Sequence, residues 1–104
     1  MKLKHGVSVA GVRPEIVLAM QVAENVLRGF GAELTVTSCL EGRHRRNSLH
    51  YAGLAFDLRT RDLEVDPSEV TARLREALGP EFDVVLEPTH IHVEFQPEGP
   101  RGGA

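Results

Sequence analysis

Four ionisable side chains carry the chemistry that this sequence offers. Asp57 lies within the apolar segment "GLAFDLRT", and an ionised carboxylate in such a segment is costly unless it is paired or binds a metal. His50 lies seven residues before it, and "HIHVEF" contributes His90 and His92. Imidazole nitrogens and carboxylate oxygens are zinc donors, and a catalytic zinc site keeps one position open beside three protein ligands. The sequence therefore predicts an open metal site formed by His50, Asp57 and His92.

Other interpretations of these residues stay open. A His-x-His pair is by itself a weak signal, since a solvated strand face can carry one. Two histidines with one carboxylate also suit iron. A closed structural zinc site would more often use cysteines, and Cys39 is the only cysteine of the chain. We expect Cys39 to be a buried thiol at the end of a strand, without an internal disulfide.

Size and charge limit the classes of function. The 104 residues predict one domain over residues 1–97 and a flexible tail over 98–104. Lys and Arg number 12 against 15 Asp and Glu, so the net charge of −3 argues against a nucleic-acid partner. The amino terminus lacks the apolar run of a signal peptide, and no segment is long enough to span a membrane. We expect a cytoplasmic protein; if it acts outside the membrane, something else must carry or release it.

Two amphipathic helices should support the site. Apolar residues recur at three- and four-residue steps over residues 14–30, with Pro14 in the first turn. In "DPSEVTARLREALGP", Asp66 is the predicted N-cap, Pro67 the first helical residue and Glu69 the reciprocal partner of a capping box. The buried stripe of this second helix is predicted to contain Val70, Leu74, Ala77 and Leu78.

Alternating side chains predict the strands that hold the site. "AELTVTSC" and "GLAFDLRT" are two of them, and "FDVVLEPTHIHVEF" divides into two more at Pro88. In "HIHVEF" the side chains of His90, His92 and Glu94 share one face, while apolar residues form the other. The order of elements predicts an α+β domain with a largely antiparallel sheet and two main helices on one face.

The segments "SLHYAGLAFDLRTRD" and "THIHVEF" resemble two known motifs, Ser-x-His-x-x-Gly-x-Ala-x-Asp and His-x-His. Zinc D-alanyl-D-alanine carboxypeptidases and dipeptidases, phage L-alanyl-D-glutamate endolysins and the N-terminal signalling domain of hedgehog proteins share them. The resemblance covers roughly residues 35–95 and implies the hedgehog/DD-peptidase fold. The residues that match the first motif are Ser48, His50, Gly53, Ala55 and Asp57.

The same resemblance implies roles for individual residues. Zn²⁺ would be bound by His50, Asp57 and His92. His90 would lie beside the metal, where it could polarise the scissile carbonyl, stabilise the oxyanion or shuttle a proton. His44 is similar in placement to a second active-site histidine of the hedgehog-type domain, and an ordinary loop histidine is the alternative.

Glu87 is the candidate general base, which would take a proton from a metal-bound water as that water attacks an amide. In the carboxypeptidase and dipeptidase group the acidic residue lies three positions before the last ligand. Glu87 lies five positions before His92 and three before His90. Either the bend at Pro88 re-aims Glu87, or His90 is the ligand and His92 the helper. The "HIHV" context favours His92 as the ligand.

Substrate contacts are predicted in the segment that precedes Asp57. Peptidases of this group often carry an arginine shortly after the Thr-Ser at the strand end, where this chain reads "CLE". Arg43, Arg45 or Arg46 could substitute, because a guanidinium suits a carboxylate, and a solvated loop is the alternative. Ser48 could orient the first ligand and Tyr51 could hydrogen-bond the substrate, with a turn and simple packing as the alternatives.

Together these residues predict a zinc-dependent peptidase that hydrolyses a small peptide amide. The leading substrate class is bacterial cell-wall peptide with D-amino acids, so that the partner would be a peptide or a peptidoglycan fragment. A non-catalytic zinc-binding interaction module, or a phage virion-assembly module on the same fold, is the alternative. A metal-free scaffold is the third. The acidic residues that bind calcium in hedgehog domains are almost absent, and calcium dependence is not expected.

Overall fold

A computed structural model describes residues 1–39 and 54–96 of the chain. These residues form two helices and a five-stranded, mostly antiparallel sheet, which confirms the predicted α+β class. In chain order the elements are β1 (Lys2–Leu3), α1 (Pro14–Gly29), β2 (Thr35–Cys39), β3 (Ala55–Arg59), α2 (Pro67–Leu78), β4 (Phe82–Leu86) and β5 (His90–Phe95). None of the described helices has the length and apolar character needed to cross a membrane.

The sheet has the strand order β1-β2-β3-β5-β4. β1 runs parallel to β2, and the other three neighbouring pairs are antiparallel. The sequence analysis missed β1, because its two residues are exposed and too few to show an alternating pattern. The central pair, β3 and β5, comes from segments that lie on either side of α2. The sheet therefore brings the Asp57 segment beside the His-x-His segment.

The first helix follows its apolar pattern. Pro14 occupies the first turn, where its missing N–H is not needed, and Arg28 lies in the last turn, where it complements the helix dipole. The chain leaves the helix through Phe30 and Gly31, whose φ of 77° favours glycine. The buried side of the helix consists of Ile16, Ala19, Met20, Ala23, Val26 and Leu27.

The second helix begins at Pro67 after the predicted N-cap Asp66, but the Glu69 side chain does not form the reciprocal hydrogen bond of a capping box. Asp66 caps the helix, since its carboxylate accepts a hydrogen bond from the Ser68 N–H at 3.0 Å. Val70 and Leu74 are buried as predicted, while Leu78 is only half-buried. The prediction that Ala77 is buried was wrong, because it lies at the edge of the stripe and remains exposed. Thr71 is buried instead, and its hydroxyl donates to the Pro67 carbonyl at 2.8 Å, which satisfies the polar group.

Both helices pack on one face of the sheet. Alternate strand residues, among them Phe56, Leu58, Ile91 and Val93, form one core cluster with the helices and are at most 1 % exposed. A register shift between Val36 and Ser38 lets β2 turn its last residue back to the core. Cys39 is consequently 1 % exposed, which confirms the prediction of a buried thiol at a strand end. The opposite face of the central strands carries the polar residues.

Candidate metal centre

The candidate site is built on the pairing of β3 with β5. Asp57 and His92 are directly opposite each other in this antiparallel pair, so their side chains leave the same face of the sheet. His92 Nδ1 lies 2.7 Å from Asp57 Oδ1. The two side chains are 18 % and 20 % exposed, so water reaches them only in part. Sheet register, and not a loop, sets this distance.

His90 lies beside the same carboxylate. Its Nε2 is 3.8 Å from Asp57 Oδ2, the oxygen that does not face His92. On its other side, His90 Nδ1 lies 3.2 Å from the Thr89 hydroxyl. The Asp57 carboxylate is thus placed between two imidazoles, with one oxygen toward each. The sequence analysis expected Asp57 and His92 to bind one metal ion with His90 beside it, and the structure brings these three side chains together.

Glu94 is a further carboxylate at the site, and the sequence analysis assigned it no role. Its Oε1 lies 2.9 Å from His92 Nε2, and its Oε2 accepts a hydrogen bond from Gln96 at 3.3 Å. The Glu94 side chain is only 16 % exposed. Its position on the same strand face as His90 and His92 was visible in the alternation of "HIHVEF". No local pattern indicated that its carboxylate would contact His92.

The electrostatics of His92 follow from its two carboxylate neighbours. Burial by itself lowers the pKa of the imidazole, but the hydrogen bonds with Asp57 and Glu94 outweigh it and raise the pKa to about 9. Without a metal, His92 is therefore protonated at neutral pH, and each ring nitrogen donates to a carboxylate. A metal ion at Nδ1 would have to displace one proton.

The residues present fit a zinc ion in donor type but are incomplete within the described part of the chain. Asp57 and His92 supply a carboxylate oxygen and an imidazole nitrogen, both ordinary zinc donors. Within residues 1–39 and 54–96, no three His, Cys, Asp or Glu side chains form a group that could hold a metal ion. The third predicted ligand, His50, lies outside these ranges. The other predicted site residues that lie outside them are His44, Arg43, Arg45, Arg46, Ser48 and Tyr51.

Glu87 lies in the turn that joins β4 to β5. Its backbone N–H donates to the His90 carbonyl at 2.8 Å, which closes the turn beside the site. The Glu87 side chain is half-buried. In the described ranges its carboxylate forms no hydrogen bond or ion pair with another residue. Its role as a base therefore stays a prediction, supported by nearness along the chain and not by a contact.

A basic groove adjoins the site on the His90 side. It has a volume of about 480 Å³, and Asp57 and His90 form part of its wall. Three cationic residues, Lys4, Arg59 and Arg61, also line it, together with uncharged residues; we call this the basic groove. Arg59 is paired with His90 in the register of β3 and β5. The sequence analysis sought such cations before Asp57, whereas Arg59 lies two residues after it on the same strand face.

Part of the charge in the basic groove is already neutralised. Arg59 donates to Asp62 from Nε at 2.8 Å, and its Nη2 lies 2.6 Å from the same oxygen. Arg61 is 76 % exposed, with its Nε 3.9 Å from the other Asp62 oxygen. Lys4 is exposed as well. Two arginines and one lysine still outnumber the two carboxylates of Asp62 and Asp57. The groove is therefore suited to an anionic group.

No family model matches the chain, and comparison with curated proteins and with solved structures finds no match either.

Proposed function

We propose that the protein is a zinc-dependent peptidase that hydrolyses a small peptide amide. One observation supports this most directly: the carboxylate of Asp57 faces His92 across two paired strands and has His90 at its other oxygen. The resemblance of "SLHYAGLAFDLRTRD" to the zinc-peptidase motif adds His50 as the third ligand. A bound zinc ion would polarise the scissile carbonyl and lower the pKa of a bound water.

The protein's own residues would complete the reaction. Asp57 and His92 would hold the ion, and His90 lies next to them with its Nε2 toward Asp57, where it could donate to a carbonyl oxygen as negative charge develops. Glu87 would accept the proton of the attacking water and pass it to the leaving amine. For this step its side chain must turn toward the site from the Pro88–Thr89 bend.

The basic groove supports a substrate with an anionic group near the scissile bond. A free peptide carboxylate that enters the groove would meet Lys4, Arg59 and Arg61 while its amide lies near Asp57 and His90. Peptides of the bacterial cell wall, with D-amino acids and free carboxylates, are the leading substrate class. A phage-derived peptidase that reaches the wall after release would meet the same substrate.

The test combines metal content with turnover. Purified protein should contain one zinc per chain and cleave D-Ala-D-Ala or a muropeptide, and Asp57→Ala should lose both. Glu87→Gln should keep zinc and lose turnover, which separates the base from the ligands. Asp83→Asn removes an exposed carboxylate on β4 and serves as the control, with both properties unchanged. Wild-type protein that binds no zinc, or cleaves none of these peptides when loaded, would remove the proposal.

A non-catalytic zinc-binding interaction or virion-assembly module is the second candidate. The observation that favours it is the Glu87 carboxylate, which forms no hydrogen bond or ion pair with the described side chains of His90 and His92. In that case zinc would bind to wild type and to Glu87→Gln alike, while neither protein hydrolyses a peptide amide. Chelator would still lower the melting temperature, because the metal would stabilise the fold.

A further inference from the structure

We propose that Glu94 is a positioning residue, which binds His92 through Nε2 and so presents Nδ1 to the metal. This inference rests on the proposed function, since it concerns the same zinc site. It adds a residue that neither the motif pattern nor the resemblance includes. It also states which of the two nitrogens of His92 is the ligand.

The geometry separates the roles of two carboxylates. Asp57 lies at Nδ1 of His92 at 2.7 Å, and Glu94 lies at Nε2 at 2.9 Å. An imidazole that donates its N–H to a carboxylate is held in one orientation and one tautomer, and its other nitrogen is left for a metal. Because Asp57 is a proposed ligand, the nitrogen that faces Asp57 is the one nearest the metal.

The Glu94 carboxylate is itself held in place. Gln96 donates to Oε2 at 3.3 Å, and this leaves Oε1 directed at His92. The side chain is 16 % exposed, so the contact with His92 is shielded from most of the solvent. Alternation along β5 keeps His92 and Glu94 on one face, while Val93 between them is fully buried and anchors the strand. The contact therefore depends on the strand and not on a loose surface side chain.

Zinc affinity is the first measurement, made by chelator competition on wild type, Glu94→Ala, Glu94→Gln and Asp83→Asn. Loss of a residue that orients a metal ligand lowers affinity by about 10–100-fold, and we expect this for Glu94→Ala. Glu94→Gln should lose less, because its amide oxygen still accepts from Nε2–H. Asp83 is paired with Glu94 in the register of β4 and β5, so Asp83→Asn removes a neighbouring carboxylate and should leave affinity unchanged.

The second measurement identifies which ring nitrogen of His92 carries the proton. If Glu94 only stabilised the fold, it would not decide between the two nitrogens. Long-range ¹H–¹⁵N spectra of the zinc-loaded protein should show the proton on Nε2 and the metal on Nδ1. Metal on Nε2 would overturn the inference, as would Glu94→Ala with wild-type affinity. Glu94→Gln that loses zinc as completely as Asp57→Ala would make Glu94 a ligand and overturn it too. If Glu94→Ala does not fold, Glu94→Gln still tests the inference, because Gln retains the shape of the Glu side chain.

These results distinguish the inference from the proposed function. Zinc affinity that depends on Glu94, in a protein that hydrolyses no peptide, supports the positioning role and removes the peptidase. Hydrolysis that continues with unchanged zinc affinity in Glu94→Ala removes the positioning role alone.

Discussion

Arg59 and His90 are directly opposite each other on β3 and β5, two register positions along from the paired Asp57 and His92, and both line the basic groove. The pairing joins a cationic side chain to the proposed catalytic face. It also places the basic groove on the side of the site where Asp57 meets His90.

Replacing Arg59 by Gln should weaken the binding of a carboxylate-bearing peptide. We expect KM to rise roughly tenfold, equivalent to about 1.4 kcal/mol, with little change in kcat, because a charge-assisted hydrogen bond is lost. The measurement is steady-state hydrolysis of a peptide with a free carboxylate and of its carboxamide analogue. With the carboxamide analogue, wild type and Arg59→Gln should have the same KM. Arg73→Gln, at an exposed position on α2, is the matched control. Equal KM values for wild type and Arg59→Gln would exclude Arg59 from substrate binding.

The metal-free protein should lose stability as pH rises through the slightly alkaline range. The pKa of His92 is raised from 6.5 to about 9 in the fold, so the folded state holds its proton more tightly than the unfolded state. The resulting stabilisation is fully present below pH 6.5 and is lost between pH 6.5 and 9. Urea denaturation in the presence of chelator, at several pH values, measures it. His92→Gln should remove this component, and an identical pH dependence in both proteins would contradict the assignment.

Zinc binding should show the opposite pH dependence. Since Nδ1 must release its proton before it binds a metal, the affinity should rise about tenfold per pH unit until pH approaches 9. Competition with a chelator of known pH behaviour, at pH 6, 7 and 8, checks the slope. Calorimetry in two buffers of different ionisation enthalpy would count the released proton. An affinity that does not change between pH 6 and 8 would mean that His92 does not bind the ion.

Ile91 should affect stability without affecting the metal. Its side chain is fully buried on the core face, between two histidines that point the other way. We expect Ile91→Val to cost about 1 kcal/mol, from the lost methylene and the small cavity that remains. Chemical denaturation measures the cost, and chelator competition should give a zinc affinity within about twofold of wild type. Leu18→Val on the exposed side of α1 controls for the loss of one methylene. A large fall in zinc affinity for Ile91→Val would show that core packing and the site are not separable.

The sequence by itself determined the local features of this protein. Period-two alternation placed His90, His92 and Glu94 on one face and Ile91 and Val93 in the core, because successive side chains of a strand point to opposite sides. Apolar spacing and the signals at Pro14 and Asp66 located both helices for the same reason, since each depends on residues within a turn or two. The motif also identified Asp57 as a carboxylate that needs a partner.

Only the tertiary structure decided which partners these residues meet. Asp57 and His92 are 35 positions apart in the sequence, and the chain between them carries no local signal for their register, which is set by burying one face of all the strands together. The two hydrogen-bonded neighbours of His92, the basic groove with Arg59, and the parallel strand β1 follow from that long-range packing. Ala77 shows the same limit in a helix: its spacing suggested burial, but the packing of α2 through Thr71 left it in solvent. Contacts between distant segments depend on the free energy of the whole sheet, which cannot be inferred from a short stretch of sequence.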